Sequence, residues 1–284
     1  MNFNKITIGI VTFKSEKVIF NCLKSIKKIR NIVIFDNSDD HNLKKKINKI
    51  YPKIKVILSK KNLGYGVGNN SIIKNCKTPY LFILSPDTIL KKDCEKELLK
   101  AIKEKKNNFS IIAPLAKENN FGYFNNVKLN KKKLFEVDFV KGFAMLLNIK
   151  KIKKVGMFDK NFFLYLEEID LCRRLKDNGQ KIYISSKAKI KHLGAKSSDI
   201  GLNYDKIRNW HWMWSCVYYD KKFNNIFYVY QKYFLKLFVN LLKIVFYLIF
   251  FNNQKLQTYL FRTSGIFNSL IGRKSWFRPS LKKN

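Results

Sequence analysis

Four short apolar runs recur along the first third of the chain: ITIGIVTF at 6–13, NIVIFDNS at 31–38, IKVILSK at 54–60 and YLFILSPD at 80–87. Each has strand length, and lysine-rich amphipathic stretches of helix length separate them. Strands alternating with helices predict a mostly parallel sheet wrapped by helices. Ligands collect outside the carboxyl ends of the strands in such sheets, and those ends carry Thr12 and Phe13, Asp36 and Asn37, and Asp87.

A different period governs the segment from Phe158 to His192. Leu171, Cys172 and Leu175 form an inward stripe and Asn178-Gly179 stops it, which places Glu167, Glu168 and Asp170 in a first helical turn. Glu168 and Asp170 sit about 200° apart on that helix and cannot share a task. Asp170 precedes Arg173 and Arg174 at ion-pair spacing. Glu168 heads the face of Cys172, beside Phe162, Phe163 and Tyr165, where partial desolvation raises its proton affinity toward that of a general base. Acids at a helix start also serve the macrodipole, which is the plainer reading.

Two further motifs carry chemistry. The loop NLGYGVGNN at 62–70 spaces its glycines as G-x-G-x-G after the third strand, not as a dinucleotide-binding G-x-G-x-x-G after the first. Its glycines let backbone approach a ligand or a packing partner closely. Ser85-Pro86-Asp87 closes an apolar strand. Its carboxylate either caps the next helix or joins a hard cation such as Mg²⁺ or Mn²⁺, which takes one or two carboxylates plus substrate phosphates.

Charge and composition narrow the partners. The formal net charge is +37, yet seven of 57 basic residues are Arg, the residue favoured for bidentate phosphate and guanine contacts. No nucleic-acid module is recognisable, so nucleic acid is not expected as a partner and an anionic membrane is. Five scattered cysteines suggest neither a disulfide framework nor a zinc site. Met1 to Lys5 lead straight into a strand-like run with no secretory signal pattern, and a cytoplasmic catalytic region is expected.

From about Tyr204 the chain turns aromatic and basic, with 14 Lys and Arg against two Asp between 201 and 284. Residues 226–251 are almost wholly apolar, and on a helix Asn225, Lys232, Lys236 and Lys243 share a narrow sector. A span would bury Lys243 near its middle at about 2.5–3.5 kcal/mol. A helix lying in the interface, its lysines reaching headgroups, avoids that cost. Packing on the catalytic region or on a second copy, as a homo-oligomer, is the alternative. Trp210, Trp212 and Trp214 suit either.

Taken in order, these motifs resemble glycosyltransferase family 2, the inverting nucleotide-sugar transferases of the GT-A fold, and in particular its rhamnosyltransferase-like bacterial members. They are the strand end Val11-Thr12-Phe13, Asp36-Asn37-Ser38, the glycine loop, Ser85-Pro86-Asp87, Gly142 before an apolar segment, F-D-x-x-F-F-x-Y-x-E-E-x-D-L-x-x-R from Phe158, and His192. The resemblance covers roughly residues 5 to 200. It implies a Rossmann-like α/β GT-A catalytic domain over 1–203, its mostly parallel sheet flanked by helices; the composition of 204–284 adds a helical, membrane-associating extension. The implied activity is metal-dependent transfer of a hexose, rhamnose among the candidates, from a nucleotide-diphosphate donor to a hydroxyl of a glycan or lipid-linked acceptor in cell-surface polysaccharide synthesis. The enzyme would be peripheral at the cytoplasmic face of the inner membrane.

By the same resemblance, Thr12, Phe13, Asp36, Asn37, Asn62, Gly64 and Asn69 contact the nucleotide, with Asp36 accepting from base or sugar hydroxyls. Gly142 and Glu167 adjoin the donor sugar, Asp87 and His192 hold Mg²⁺ or Mn²⁺, and Glu168 is the general base. A core role for His192 is the ordinary alternative. Two positions depart from family habit, Glu168 where Asp is usual and Ser85 where Asn or Asp is usual. A catalytically idle GT-A-like protein, acting as a membrane-associated binding module, is the competing functional reading.

Overall fold

The computed structural model describes residues 2–116, 133–194, 197, 198, 201 and 204–279. The chain divides into two compact units, one of Met1–Asp159 with Glu168–Asp199 and the other of Lys160–Glu167 with Ile200–Asn284. The short stretch before the acidic helix thus belongs with the C-terminal helices, although it lies inside the expected 1–203 domain.

In the first unit, β1 (Ile6–Thr12), β2 (Asn31–Asp36), β3 (Lys55–Leu58) and β4 (Tyr80–Leu84) match the four apolar runs. They pair in parallel in the order β3-β2-β1-β4. The rest of the sheet is mixed. It comprises β5 (Thr88–Leu90), β6 (Ile111–Ala116), β7 (Leu134–Glu136), β8 (Ala144–Asn148) and β9 (Ile182–His192), with β8 antiparallel to β4 and β9 parallel to β6. The reversal at β8 decides the site, because its register sets Ala144 opposite Leu84. The residues that enter β8 therefore lie at the edge where the parallel strands end.

Both faces of the sheet are covered, which is why its central strands are continuous apolar runs. Along β1, Ile6, Ile8 and Ile10 join one core cluster and Val11 the other, as the two-residue strand period requires. The helices of this unit are α1 (Glu16–Ser25), α2 (His41–Ile50), α3 (Tyr65–Asn75), α4 (Cys94–Lys105), α5 (Ile149–Lys154) and α6 (Glu167–Asp177). The glycine loop is largely the first turns of α3, which Gly64 caps at φ 85°. A Cβ on Gly68 would meet Val11 at 2.9 Å, so this glycine brings α3 down onto the sheet. Packing, one of the two readings left open for the loop, accounts for that residue.

The second unit holds α7 (Tyr204–Phe223), α8 (Ile226–Ile249) and α9 (Asn253–Leu270). Helices α7 and α9 approach closely, since a Cβ on Gly265 would lie 2.4 Å from the Trp210 carbonyl oxygen. Trp210 and Trp214 are buried, their indoles donating to Ser264 Oγ and to the Arg273 carbonyl. Of the three tryptophans expected at an interface, Trp212 alone is exposed. The polar sector of α8 is divided, with Lys236 and Lys243 exposed while other contacts of the sector are made to neighbouring helices. Asn240 is buried, Lys232 Nζ lies 2.6 Å from Asp220 Oδ2 of α7, and Lys243 sits over the Tyr259 ring of α9. Asp220 and Tyr259 supply partners that a single-helix projection cannot show.

Candidate active site

The site grows from the carboxyl edge of the parallel strands. Thr12 and Asp36 are register partners, and the buried Thr12 hydroxyl donates to Asp36 Oδ1 at 2.8 Å. Asp36 also accepts from the Ser38 hydroxyl and from the Ser38 and Asp40 amides. Those four donors account for the lone-pair directions of a carboxylate. Through them the Asp36 carboxylate organises the turn after β2. Phe13 is half-buried beside it, its amide donating to Ser15 Oγ.

Asn37 joins this turn to the glycine segment. Its Oδ1 accepts from the Leu63 amide, and its Nδ2 donates to the Gly64 carbonyl. Asn62 Oδ1 accepts from the Gly64 amide, which sets the tight entry to α3. Asn69 is fully buried, its Nδ2 donating to the Tyr65 carbonyl, while its Oδ1 has no hydrogen-bond partner. A buried acceptor left unmatched costs about 1–3 kcal/mol, so its place beside this edge is notable.

Asp87 follows β4 and is buried. His192, at the end of β9, is the register partner of Thr88, and its Nε2 lies 3.3 Å from Asp87 Oδ1. Burial opposes ionisation of Asp87, but hydrogen bonds and charge from His192, the Ser85 hydroxyl and its own amide prevail and hold its pKa below the usual value. Ser85, one of the two departures from the family pattern, thus supports Asp87 directly. One carboxylate and one imidazole in hydrogen-bond reach are a donor set that a hard divalent ion accepts, with phosphate oxygens and water completing its shell. Among the described residues no cluster of three or more metal-binding side chains occurs.

Glu168 stands across the dipeptide Gly142-Phe143, which leads into β8. The Phe143 ring stacks on His192 with centroids 4.2 Å apart, while a Cβ on Gly142 would lie 3.6 Å from Glu168 Cβ and Cγ. Tyr65 of α3 closes the same corner, its hydroxyl donating to the Gly142 carbonyl at 2.7 Å. Burial raises the pKa of Glu168, against the opposing pull of its own amide, Lys141 and the amides of Gly142 and Ile169. Glu167, also buried, opens α6, and two left-handed residues, Tyr165 and Leu166, lead into it. Asp170 is fully buried in an ion pair with Arg174, whose guanidinium also donates to the Val155 and Met157 carbonyls.

The register thus brings Asp87, His192 and Glu168 around Gly142-Phe143, with Thr12, Asp36, Asn37, Asn62 and Gly64 linked along the neighbouring strand ends. Phe143, Tyr65 and Lys141 were not singled out from sequence. Their only signal is adjacency to Gly142 or membership of the glycine segment, and their role depends on long-range pairing.

The low-salt glycan biosynthesis hexosyltransferase Agl10 of Haloferax volcanii is 27% identical over 192 residues, covering 60% of this chain and 61% of that protein. Rhamnosyltransferase WbbL of Escherichia coli K12 is 26% identical over 182 residues, 54% of this chain and 68% of that one. The chain thus spans about three-fifths to two-thirds of these curated relatives. The structure of mannosyltransferase PcManGT from Pyrobaculum calidifontis, in complex with GDP-Man and Mn²⁺, superposes with a TM-score of 0.57 at 10% identity, covering 94% of this chain and 87% of that one. The fold is GT-A. Because residues 7–170 match the profile of Glycosyl transferase family 2, more than half of the chain, the protein belongs to that family.

Proposed function

We propose that this protein transfers a hexose, with inversion, from a nucleotide-diphosphate donor to a hydroxyl of a glycan or lipid-linked acceptor. The observation that carries the reading is the pair of carboxylates on either side of Gly142-Phe143, whose surroundings push their proton affinities in opposite directions. Such divergence separates a charged ligand from a proton acceptor. Family membership supports sugar transfer, and the hexosyl- and rhamnosyltransferase relatives support a hexose.

Glu168 takes the proton of the acceptor hydroxyl as that oxygen bonds to the anomeric carbon. The bond from that carbon to the diphosphate breaks, its electron pair leaves with the nucleotide diphosphate, and one displacement inverts the centre. Asp87 and His192 would hold Mg²⁺ or Mn²⁺, whose charge offsets that of the diphosphate. Gly142 and Glu167 border the sugar. Thr12, Phe13, Asn37, Asn62, Gly64 and Asn69 line the nucleotide side, where the unmatched Asn69 Oδ1 is an acceptor suited to a donor hydroxyl or amine. Asp36 accepts from base or sugar hydroxyls and, through its own hydrogen bonds, shapes the turn of this pocket. Base catalysis supplies about 10² to 10⁴-fold, with positioning and charge complementarity adding to it. The basic C-terminal region fits work as a peripheral protein at the anionic cytoplasmic face of an inner membrane.

The test is incubation of the protein with Mg²⁺ or Mn²⁺ and a panel of nucleotide sugars, deoxythymidine-diphosphate rhamnose and uridine-diphosphate hexoses included, with release of nucleotide diphosphate as the readout. Metal-dependent release that Glu168→Gln and Asp87→Ala both abolish is expected. Donor binding without turnover across the panel, with and without glycan acceptors, would instead identify an idle binding module.

A further inference from the structure

We infer that the outward face of α8 is a membrane-seating surface that lies flat in an anionic leaflet. This deepens the peripheral-membrane reading above, on which it rests, and is independent of the sugar-transfer chemistry.

The inward side of α8 is already committed. Val229, Tyr233 and Asn240 are buried, and both Lys232 Nζ and the Tyr233 hydroxyl donate to Asp220 Oδ2. On the opposite side Phe227, Phe234, Leu235, Phe238, Leu242, Val245 and Ile249 are each at least 55% exposed. Projected down the helix axis they fall within an arc of about 100°, which Gln231 shares as its one polar residue. Twenty-four residues make a helix about 36 Å long, so the stripe covers several hundred Å², at or beyond what soluble monomers leave uncovered.

Charge decides what covers it. From 221 to 284 the sequence has 12 Lys and Arg and no Asp or Glu. Lys236 and Lys243 are also exposed, about 130–150° around the helix from the middle of the stripe. A second copy seated on α8 would bring together two such stretches, each basic and with no acidic residue of its own to offset the other. Anionic headgroups supply that charge while acyl chains take the stripe. Among the described residues no helix is long and apolar enough to cross a membrane, and the face is accordingly used lying in the plane.

The experiment is co-sedimentation of the full chain with phosphatidylcholine vesicles and with vesicles containing one quarter phosphatidylglycerol. Wild type should bind the anionic vesicles at least tenfold more tightly. Phe234→Asp combined with Phe238→Asp should weaken that binding at least tenfold, and Lys236→Glu combined with Lys243→Glu should remove the preference for anionic lipid. Circular dichroism and nucleotide release without vesicles should match wild type, because all four positions are exposed. Vesicle binding that survives the Phe pair overturns the assignment to α8 while leaving membrane association intact. Absence of binding by wild type overturns both, and a wild-type dimer that the Phe pair makes monomeric would identify a second copy as the occupant.

Discussion

Asp87 is buried and Glu168 half-buried, yet only one of the two becomes a better proton acceptor. For Asp87 the surrounding donors outweigh desolvation, while for Glu168 desolvation outweighs its amides and Lys141. A base must be ionised to act, so the acid limb of kcat/KM should have its midpoint above 4.5, the ordinary value for this side chain. Glu168→Gln should lower turnover about 10² to 10⁴-fold. Its stability has the opposite sign. A raised carboxyl pKa means that the folded state holds the proton more tightly, so stability declines as pH rises from the unfolded pKa to the folded one. Replacing the group with an amide removes that decline, and the melting temperature of Glu168→Gln near pH 8 should be no lower than wild type. Gly142→Ala probes the neighbouring position. Its Cβ would meet Tyr65 Cε1 at 3.4 Å, an ordinary contact, so stability should stay within about 0.5 kcal/mol of wild type while donor KM rises.

At the scale of elements, the same substitution has different consequences where a glycine sets a packing distance. Gly68→Ala forces its Cβ to 2.9 Å from Val11 on a buried strand, and overpacking of this kind costs about 1–3 kcal/mol in denaturant unfolding. The parallel strands were legible because each is a buried apolar run, and α6 because Asn178-Gly179 ends it, Gly179 adopting φ 66°. Strands β5 to β9 were not. The long strand β9 shows the two-residue strand period over Lys187–Lys191 alone, and short β5 and β7 depend on pairing with it. For the same reason Asp87, Glu168 and His192 could be named from local pattern, whereas their meeting at Gly142-Phe143 follows from the antiparallel register of β4 and β8. A helical projection placed the lysines of α8 together but left open whether water, lipid or protein faced them.

At the scale of the whole molecule, the two units offer separate reporters of stability. All four tryptophans, at 210, 212, 214 and 276, belong to the helical unit, so intrinsic tryptophan fluorescence follows that unit alone. Its core contains His211, fully buried, with Nε2 2.6 Å from the Phe277 carbonyl and Nδ1 3.2 Å from Ser275 Oγ. Burial pushes the His211 pKa down to about 3, against the opposing pull of the Phe277 carbonyl and with Arg278 adding to the depression. Below the ordinary value of 6.5 the unfolded chain takes up a proton that the folded unit refuses. The contribution of neutral His211 is therefore complete above 6.5 and is lost as pH falls toward 3, at up to about 1.4 kcal/mol per pH unit. Urea unfolding followed by tryptophan emission should show a falling midpoint across that window. In His211→Gln the slope should flatten, even though the variant starts from a lower midpoint at neutral pH for want of the imidazole's packing. A slope unchanged by the substitution would mean that other groups of the unit carry its acid sensitivity.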